Sequence, residues 1–209
     1  NGEIYNYREL RLELESEKFT FAGNSDTEVL LNLYLSFRDT PDQIELMLKK
    51  LNGIFAFALY DFERNTMLIV RDPFGVKPLY YASASSGFLF ASEIKALWFL
   101  MHAQDKEKEF GSDDLDFPSL DRYLTFLWCP GDGTLSSKVR KLDPGEALWV
   151  RNGNIDERVK WYRLPFSRNR SGSSCLSPTD AVAGTTDNLR KAVHRQMVSD
   201  VPLGAFLSG

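Results

Sequence analysis

The chain has 209 residues, with 25 basic and 29 acidic side chains, a net charge of −4, and 43% hydrophobic and 13% aromatic content, values typical of a soluble globular protein. At roughly 150 residues per domain, this length fits one large domain, or one plus part of another. The longest apolar run, residues 53–60, falls far short of the roughly 18 residues of a membrane span, and mild acidity without a basic stripe argues against a nucleic-acid-binding surface.

Residues 7–18 carry Leu10 and Leu14 among charged neighbours, which predicts an amphipathic helix that Asn6 can cap. Ser25-Asp26-Thr27-Glu28 reads as a capping box, in which serine bonds free N–H groups while glutamate reaches back. The helix it opens, through residue 37, is apolar on most faces and therefore expected to be well buried. Residues 42–51 place Ile44, Met47, Leu48 and Leu51 on one side of a third helix, which Asn52-Gly53 ends. The pattern then changes period. Residues 54–60 and 67–70 read as a hairpin, the first strand apolar on both faces and expected inside a layered core. Residues 79–82 and 88–91 supply two more strands, and residues 93–101 return to helix. Residues 103–116 read as an exposed loop, followed by a helix at 119–127 and a Pro/Gly loop at 129–133. A second hairpin joins residues 147–151 and 159–162 through Asn152-Gly153-Asn154. Residues 164–178, rich in serine, arginine and proline, form the best linker. A helix at 179–197 and a strand at 203–207 then open a second unit.

Both ends read as cut. Residue 1 is asparagine with no initiator methionine, and the chain stops on Leu207-Ser208-Gly209 straight after an apolar run. Asn1-Gly2-Glu3 packs a side-chain amide, a bare glycine N–H and a carboxylate into three positions. Two such N–H donors can point at one developing oxyanion, although an isolated Asn-Gly also reads as an ordinary turn. Asp26 sits in a first helical turn, where the macrodipole stabilises a carboxylate; capping alone also explains it. The run Arg71-Asp72-Pro73-Phe74-Gly75-Val76-Lys77-Pro78 reads as a rigid loop held by an internal ion pair.

NGEIYN, SDTEVLL, LNGIFAFALYD, RDPFGVKPLYYA and FASEIKAL occur in the order and spacing of one family. The chain closely resembles the glutamine-hydrolysing asparagine synthetases, whose N-terminal half is a class II glutamine amidotransferase domain. The resemblance implies an α+β fold. It is an αββα sandwich of the N-terminal-nucleophile type, incomplete here and followed by the start of an α/β ATP-pyrophosphatase domain. The implied divisions are a glutaminase domain at 1–163, the linker at 164–178 and the synthetase start at 179–209.

In the family, an N-terminal cysteine attacks the glutamine amide with its own α-amine as base, reasonable for an amine of pKa roughly 7.7–8.0. By resemblance, Asn1 and Gly2 form the oxyanion hole, Glu3 belongs to the glutamine pocket, and Asp26 holds the substrate α-ammonium. The nucleophile is missing from these residues. Cys129 and Cys175 are internal and carry no free α-amine; two cysteines suit a reducing cytosol. His102 and His194 have no partner at metal-ligand spacing, so no metal site is expected; the resemblance implies a glutaminase domain that binds no cofactor. Leu207, Ser208 and Gly209 resemble the start of the pyrophosphatase loop that takes ATP with Mg²⁺. The implied substrates are glutamine, aspartate and ATP, in a cytoplasmic enzyme forming a homodimer. The open alternatives are an amidotransferase with another carboxylate acceptor, and a scaffold relative without catalysis. Loss of the preceding strands is expected to leave the sheet around residues 54–60 with open edges.

Overall fold

The computed structural model of this chain describes residues 1–40, 44–84, 87–102, 111–165, 176–199 and 201–207. In chain order they form β1 (Gly2–Ile4), α1 (Tyr7–Ser16), α2 (Asp26–Phe37), α3 (Ile44–Lys50), β2 (Gly53–Asp61) and β3 (Thr66–Arg71). There follow β4 (Tyr80–Ala84), β5 (Gly87–Ala91), α4 (Ile94–His102), α5 (Phe117–Phe126), β6 (Arg140–Lys141), β7 (Glu146–Arg151), β8 (Asn154–Lys160) and α6 (Pro178–Gln196).

Alternation along three strands decides the layering, because successive side chains point to opposite faces of a sheet. Phe55 of β2, Leu68 and Val70 of β3 and Ala147 of β7 join Leu10, Leu14, Val29, Leu33, Met47 and Leu48 from α1–α3 in one core. Their neighbours Ala56, Ile69, Leu148 and Val150 instead meet Tyr81 of β4, with Leu79 just before β4 and Leu142 just after β6, in another. A third cluster packs Leu97 of α4 on Ala82 and Val139, on the far side of that second sheet. The order is helices, sheet, sheet, helix: an αββα sandwich. The first sheet runs β1-β2-β3-β7-β8 and the second β5-β4-β6, with every pairing antiparallel.

Several local expectations needed correction. Helix α2 buries Val29, Leu30, Leu33 and Tyr34 but exposes Leu31 and Leu35, so its apolar sequence covers one face only. Strand β2 buries Phe55 and Ala56, yet Ala58 and Tyr60 are exposed. Its pairing with β1 ends at Gly53–Phe55 plus the Asn1–Ala56 bonds, so beyond Ala56 its outer edge is open among the described residues. Strand β8 begins directly after the Asn152-Gly153 turn, with the mostly polar residues 154–158 exposed. A charged edge strand needs no apolar pattern, since β7 supplies its ladder and the charges discourage further pairing. Within the expected loop, Asp114 is buried and pairs with Lys138; residues 103–110 lie outside the described residues. Residues 203–207 are irregular and exposed, not a strand, and α6 buries none of its side chains.

The far end of α2 is tied to the β2–β3 turn by a buried network. Tyr34 donates to Asp61 Oδ2 at 3.0 Å, and Asp61 also accepts the N–H groups of Glu63 and Arg64 at 3.0 and 3.1 Å and faces Arg38 at 3.1 Å. Burial, reinforced by the bond to Asp61, pushes the Tyr34 hydroxyl up to about 12 from its ordinary 10.0. The folded chain therefore holds a proton that the unfolded chain releases, and stability falls as pH rises through that interval. Urea midpoints are expected to be flat between about pH 7 and pH 10 and to decline toward pH 12. Tyr34→Phe is expected to flatten that decline and to lower the midpoint at neutral pH. An unchanged alkaline slope in the variant would assign the decline to other groups.

Candidate functional site

The first six residues owe their placement to backbone pairing. Gly2, Glu3 and Ile4 lie opposite Phe55, Ile54 and Gly53. The Asn1 backbone nitrogen donates to Ala56 O at 3.0 Å, and the Ala56 N–H bonds back to Asn1 O at 2.8 Å. In an antiparallel ladder, doubly bonded pairs alternate with pairs whose N–H groups face away. Asn1–Ala56 is a bonded pair, so the N–H groups of Gly2 and Ile4 point outward from β1, along the edge that β2 does not occupy. The structure shows where the second of them goes: Ile4 N–H donates to Asp26 Oδ2 at 3.1 Å. Gly2 N–H faces the same way two residues earlier, about 7 Å along the strand.

Only glycine fits at position 2. Its φ is +124°, and a Cβ there would overlap the carbonyl oxygen of Ile54 and come within 2.7 Å of Phe55 Cα. Gly53 meets β1 in the same manner, where a Cβ would overlap Glu3 O. The two strands approach backbone to backbone at this end of the sheet, leaving Gly2 exposed on its outer side.

Ile4 faces the helical core, so Asn1 and Glu3 share the opposite face, toward the second sheet. There Asn1 lines a cavity of about 350 Å³ with Ala56, Phe57, Ala58, Leu79, Phe90, Ala91 and Ser92. Glu3 is half-buried, and burial followed by the Glu3 and Asp72 carboxylates raises the pKa of Tyr5. Asp26 is the first residue of α2, and Ser25 caps that helix by accepting the Glu28 N–H at 3.2 Å. Glu28 departs from the capping box. Its carboxylate takes the N–H groups of Ala22 and Gly23, at 2.6 and 2.8 Å, and these bonds hold its pKa below the usual value.

The loop after β3 is rigid for a reason other than the expected ion pair. Asp72 accepts the N–H groups of Phe74, Val76 and Lys77, each at 3.0 Å. Arg71 donates to the carbonyls of Lys77, Leu142 and Gly75, at 2.9, 2.6 and 2.7 Å. Each charge is matched by backbone dipoles. The Asp72 N–H also donates to Phe55 O at 2.8 Å, which braces the strand segment opposite Gly2.

Asn1, Gly2, Glu3 and Asp26 thus converge on one end of the first sheet. Leu207 is remote in character, exposed and irregular, while Ser208 and Gly209 lie outside the described residues, as does Cys175. Cys129 is half-buried, its thiol donating to Ser119 O at 3.5 Å. Local sequence carried no sign of the Ile4–Asp26 bond or of the Asp72 bonds to three loop amides.

The family model for the glutamine amidotransferase domain matches residues 1–162. The chain belongs to that family. The model for asparagine synthase matches residues 184–209. Asparagine synthetase (glutamine-hydrolyzing) 1 of Bacillus subtilis is 37% identical over 100% of the chain and 30% of its own length. Asparagine synthetase (glutamine-hydrolyzing) 3 of the same organism is 36% identical over 100% of the chain and 31% of its own length. Amidase chry2 of Gibberella zeae is 32% identical over 100% of the chain and 28% of its length. The chain therefore spans about 30% of the length of these curated relatives. Among solved structures, glutamine phosphoribosylpyrophosphate amidotransferase of B. subtilis, complexed with ADP and GMP, superposes with a TM-score of 0.52 at 23% identity. That match covers 78% of this chain and 28% of the other, a likeness of fold.

Proposed function

We propose that these residues form the glutamine site of a glutamine-dependent asparagine synthetase. The observation that carries the reading is the outer edge of β1, where the outward N–H groups of Gly2 and Ile4 stand about 7 Å apart along the strand and the second is bonded to the Asp26 carboxylate. A glutamine laid along that edge presents its side-chain carbonyl to Gly2 and its α-ammonium to Asp26. Attack by a cysteine thiolate on the amide carbon places negative charge on the carbonyl oxygen. The Gly2 N–H and the Asn1 side-chain amide stabilise it, with Glu3 completing the pocket. Collapse breaks the C–N bond as the cysteine's α-ammonium, holding the thiol proton, protonates the nitrogen; ammonia leaves, and water then releases glutamate from the thioester and returns the proton to the thiol.

In this proposal residues 1–163 are the glutaminase domain, 164–178 the linker and 179–209 the start of the synthetase domain. Ammonia then attacks an aspartate β-carboxylate that ATP with Mg²⁺ has adenylated, giving asparagine, AMP and pyrophosphate. Leu207, Ser208 and Gly209 would begin the ATP loop. The enzyme is proposed to be cytoplasmic and a homodimer, the latter checked by sedimentation of the full-length protein. A second reading is transfer to a different carboxylate acceptor.

Neither Cys129 nor Cys175 has a free α-amine, so the 209-residue chain on its own is expected to release no ammonia from glutamine. A coupled glutamate or ammonia assay checks this. Turnover that scales with chain concentration would overturn the N-terminal-nucleophile reading.

A further inference from the structure

The side chain of Asn6 occupies the N-cap position of α1 but caps nothing there. Both ends of its amide reach across to the other strand's approach. Nδ2 donates to Lys50 O at 2.9 Å, and Oδ1 accepts the Asn52 N–H at 2.8 Å. Lys50 is the last residue of α3, so its carbonyl is one of those a helix end leaves without a partner. Between these two bonds runs the last backbone bond of the ladder, Tyr5 N–H to Asn52 O at 2.7 Å. The backbone pairing of β1 stops at Tyr5, and Asn6 continues it by one residue with a side chain.

We infer that Asn6 is a positioning residue for glutamine hydrolysis, resting on the glutaminase reading above. A three-residue strand pairs weakly on its own, and a slip of one residue would turn Gly2 N–H inward and Asn1 to the other face. Asn6 pins the register from the C-terminal end through two bonds of fixed direction, one donated and one accepted. Among the described residues Gly2 N–H is positioned by β1, whereas Asp26 is carried by α2. Loss of Asn6 therefore acts on the oxyanion donor more than on the ammonium partner, and so on kcat more than on KM. A displacement on the order of 1 Å is enough for about a hundredfold loss.

The test uses the full-length protein with Asn6→Ala and Asn6→Asp, assayed with glutamine and, separately, with ammonium salt as nitrogen donor. Free ammonia bypasses the glutamine site, so it reports whether the synthetase half is intact. For Asn6→Ala the expected result is a tenfold to hundredfold fall in kcat for glutamine hydrolysis, with KM within threefold and ammonia-dependent synthesis within twofold. Asn6→Asp retains the acceptor for Asn52 N–H but sets a carboxylate against Lys50 O, and is expected to fall between wild type and Asn6→Ala. Unchanged kcat in either variant overturns the role of Asn6 alone. A common fall in both activities, or a rise in KM larger than the fall in kcat, overturns it in favour of general destabilisation or substrate binding. Wild-type enzyme that makes no glutamate from glutamine overturns the site reading itself, and this inference with it.

Discussion

Gly2→Ala is expected to destabilise the chain by about 3–5 kcal/mol, read as a lower urea midpoint at unchanged slope, and to abolish glutamine hydrolysis in the full-length protein. Two costs add at this position. An alanine at φ +124° is strained by itself, and its Cβ has no room beside Ile54 O and Phe55 Cα. The obstruction is backbone on both counts, so no side-chain rotation relieves it. Gly87 separates the two costs. Its φ is +118°, nearly the same, but nothing lies within 4 Å of its added Cβ. Gly87→Ala should therefore cost only the backbone strain, about 1–2 kcal/mol. Equal losses in the two variants would show that close approach of β1 to β2 contributes nothing. The catalytic consequence follows the same geometry. Relief of the overlap means separating β1 from β2, which moves the outward Gly2 N–H away from its place on the edge.

Asp72→Ala should be the next most costly change, at about 2–4 kcal/mol, with Asp72→Asn about half of that. Asp72 is 1% exposed, and its carboxylate is the acceptor for three loop N–H groups. Alanine leaves these donors without a partner in a partly buried loop. Asparagine keeps one acceptor oxygen but sets an NH₂ group against an N–H, exchanging an attraction for a repulsion. Denaturation curves measure the cost, and amide hydrogen exchange at Phe55 and Ala56 tests its reach into the sheet. The Asp72 N–H bond to Phe55 O predicts faster exchange across the strand segment that faces Gly2. Full stability in Asp72→Asn would mean that the three Arg71–carbonyl bonds hold the loop without help from Asp72.

The same residues show where reading the chain worked and where it stopped. The hairpin of β2 and β3, the Asn-Gly turn before β8 and the helical stripe of Ile44, Met47 and Leu48 were legible, because each is a short-range pattern of period, turn chemistry or capping. The motif order NGEIYN, SDTEVLL and RDPFGVKPLYYA led to the family, and so to the candidate site residues, without any geometry. The misreadings came where a side chain's partner lies far along the chain. Asn6 looked like a cap for the helix beside it but is bound 44 and 46 residues away. The second strand of the last hairpin was expected at 159–162 but begins at Asn154, since a ladder needs only a willing neighbour and not an apolar face of its own.

Length and charge pointed to one domain and part of another, and the motifs named the chemistry to look for at Asn1, Gly2, Glu3 and Asp26. Composition and spacing carry that much because helix and strand periods, turns and motifs are written in consecutive residues. Folding settled the directions: that Gly2 N–H and Ile4 N–H face the same open edge, that Asp26 closes one end of it, and that Gly53 leaves room for β1 to approach. Those directions come from the alternation of an antiparallel ladder and from hydrogen bonds between distant segments. Both depend on register, a property of two strands together and of neither one's sequence alone.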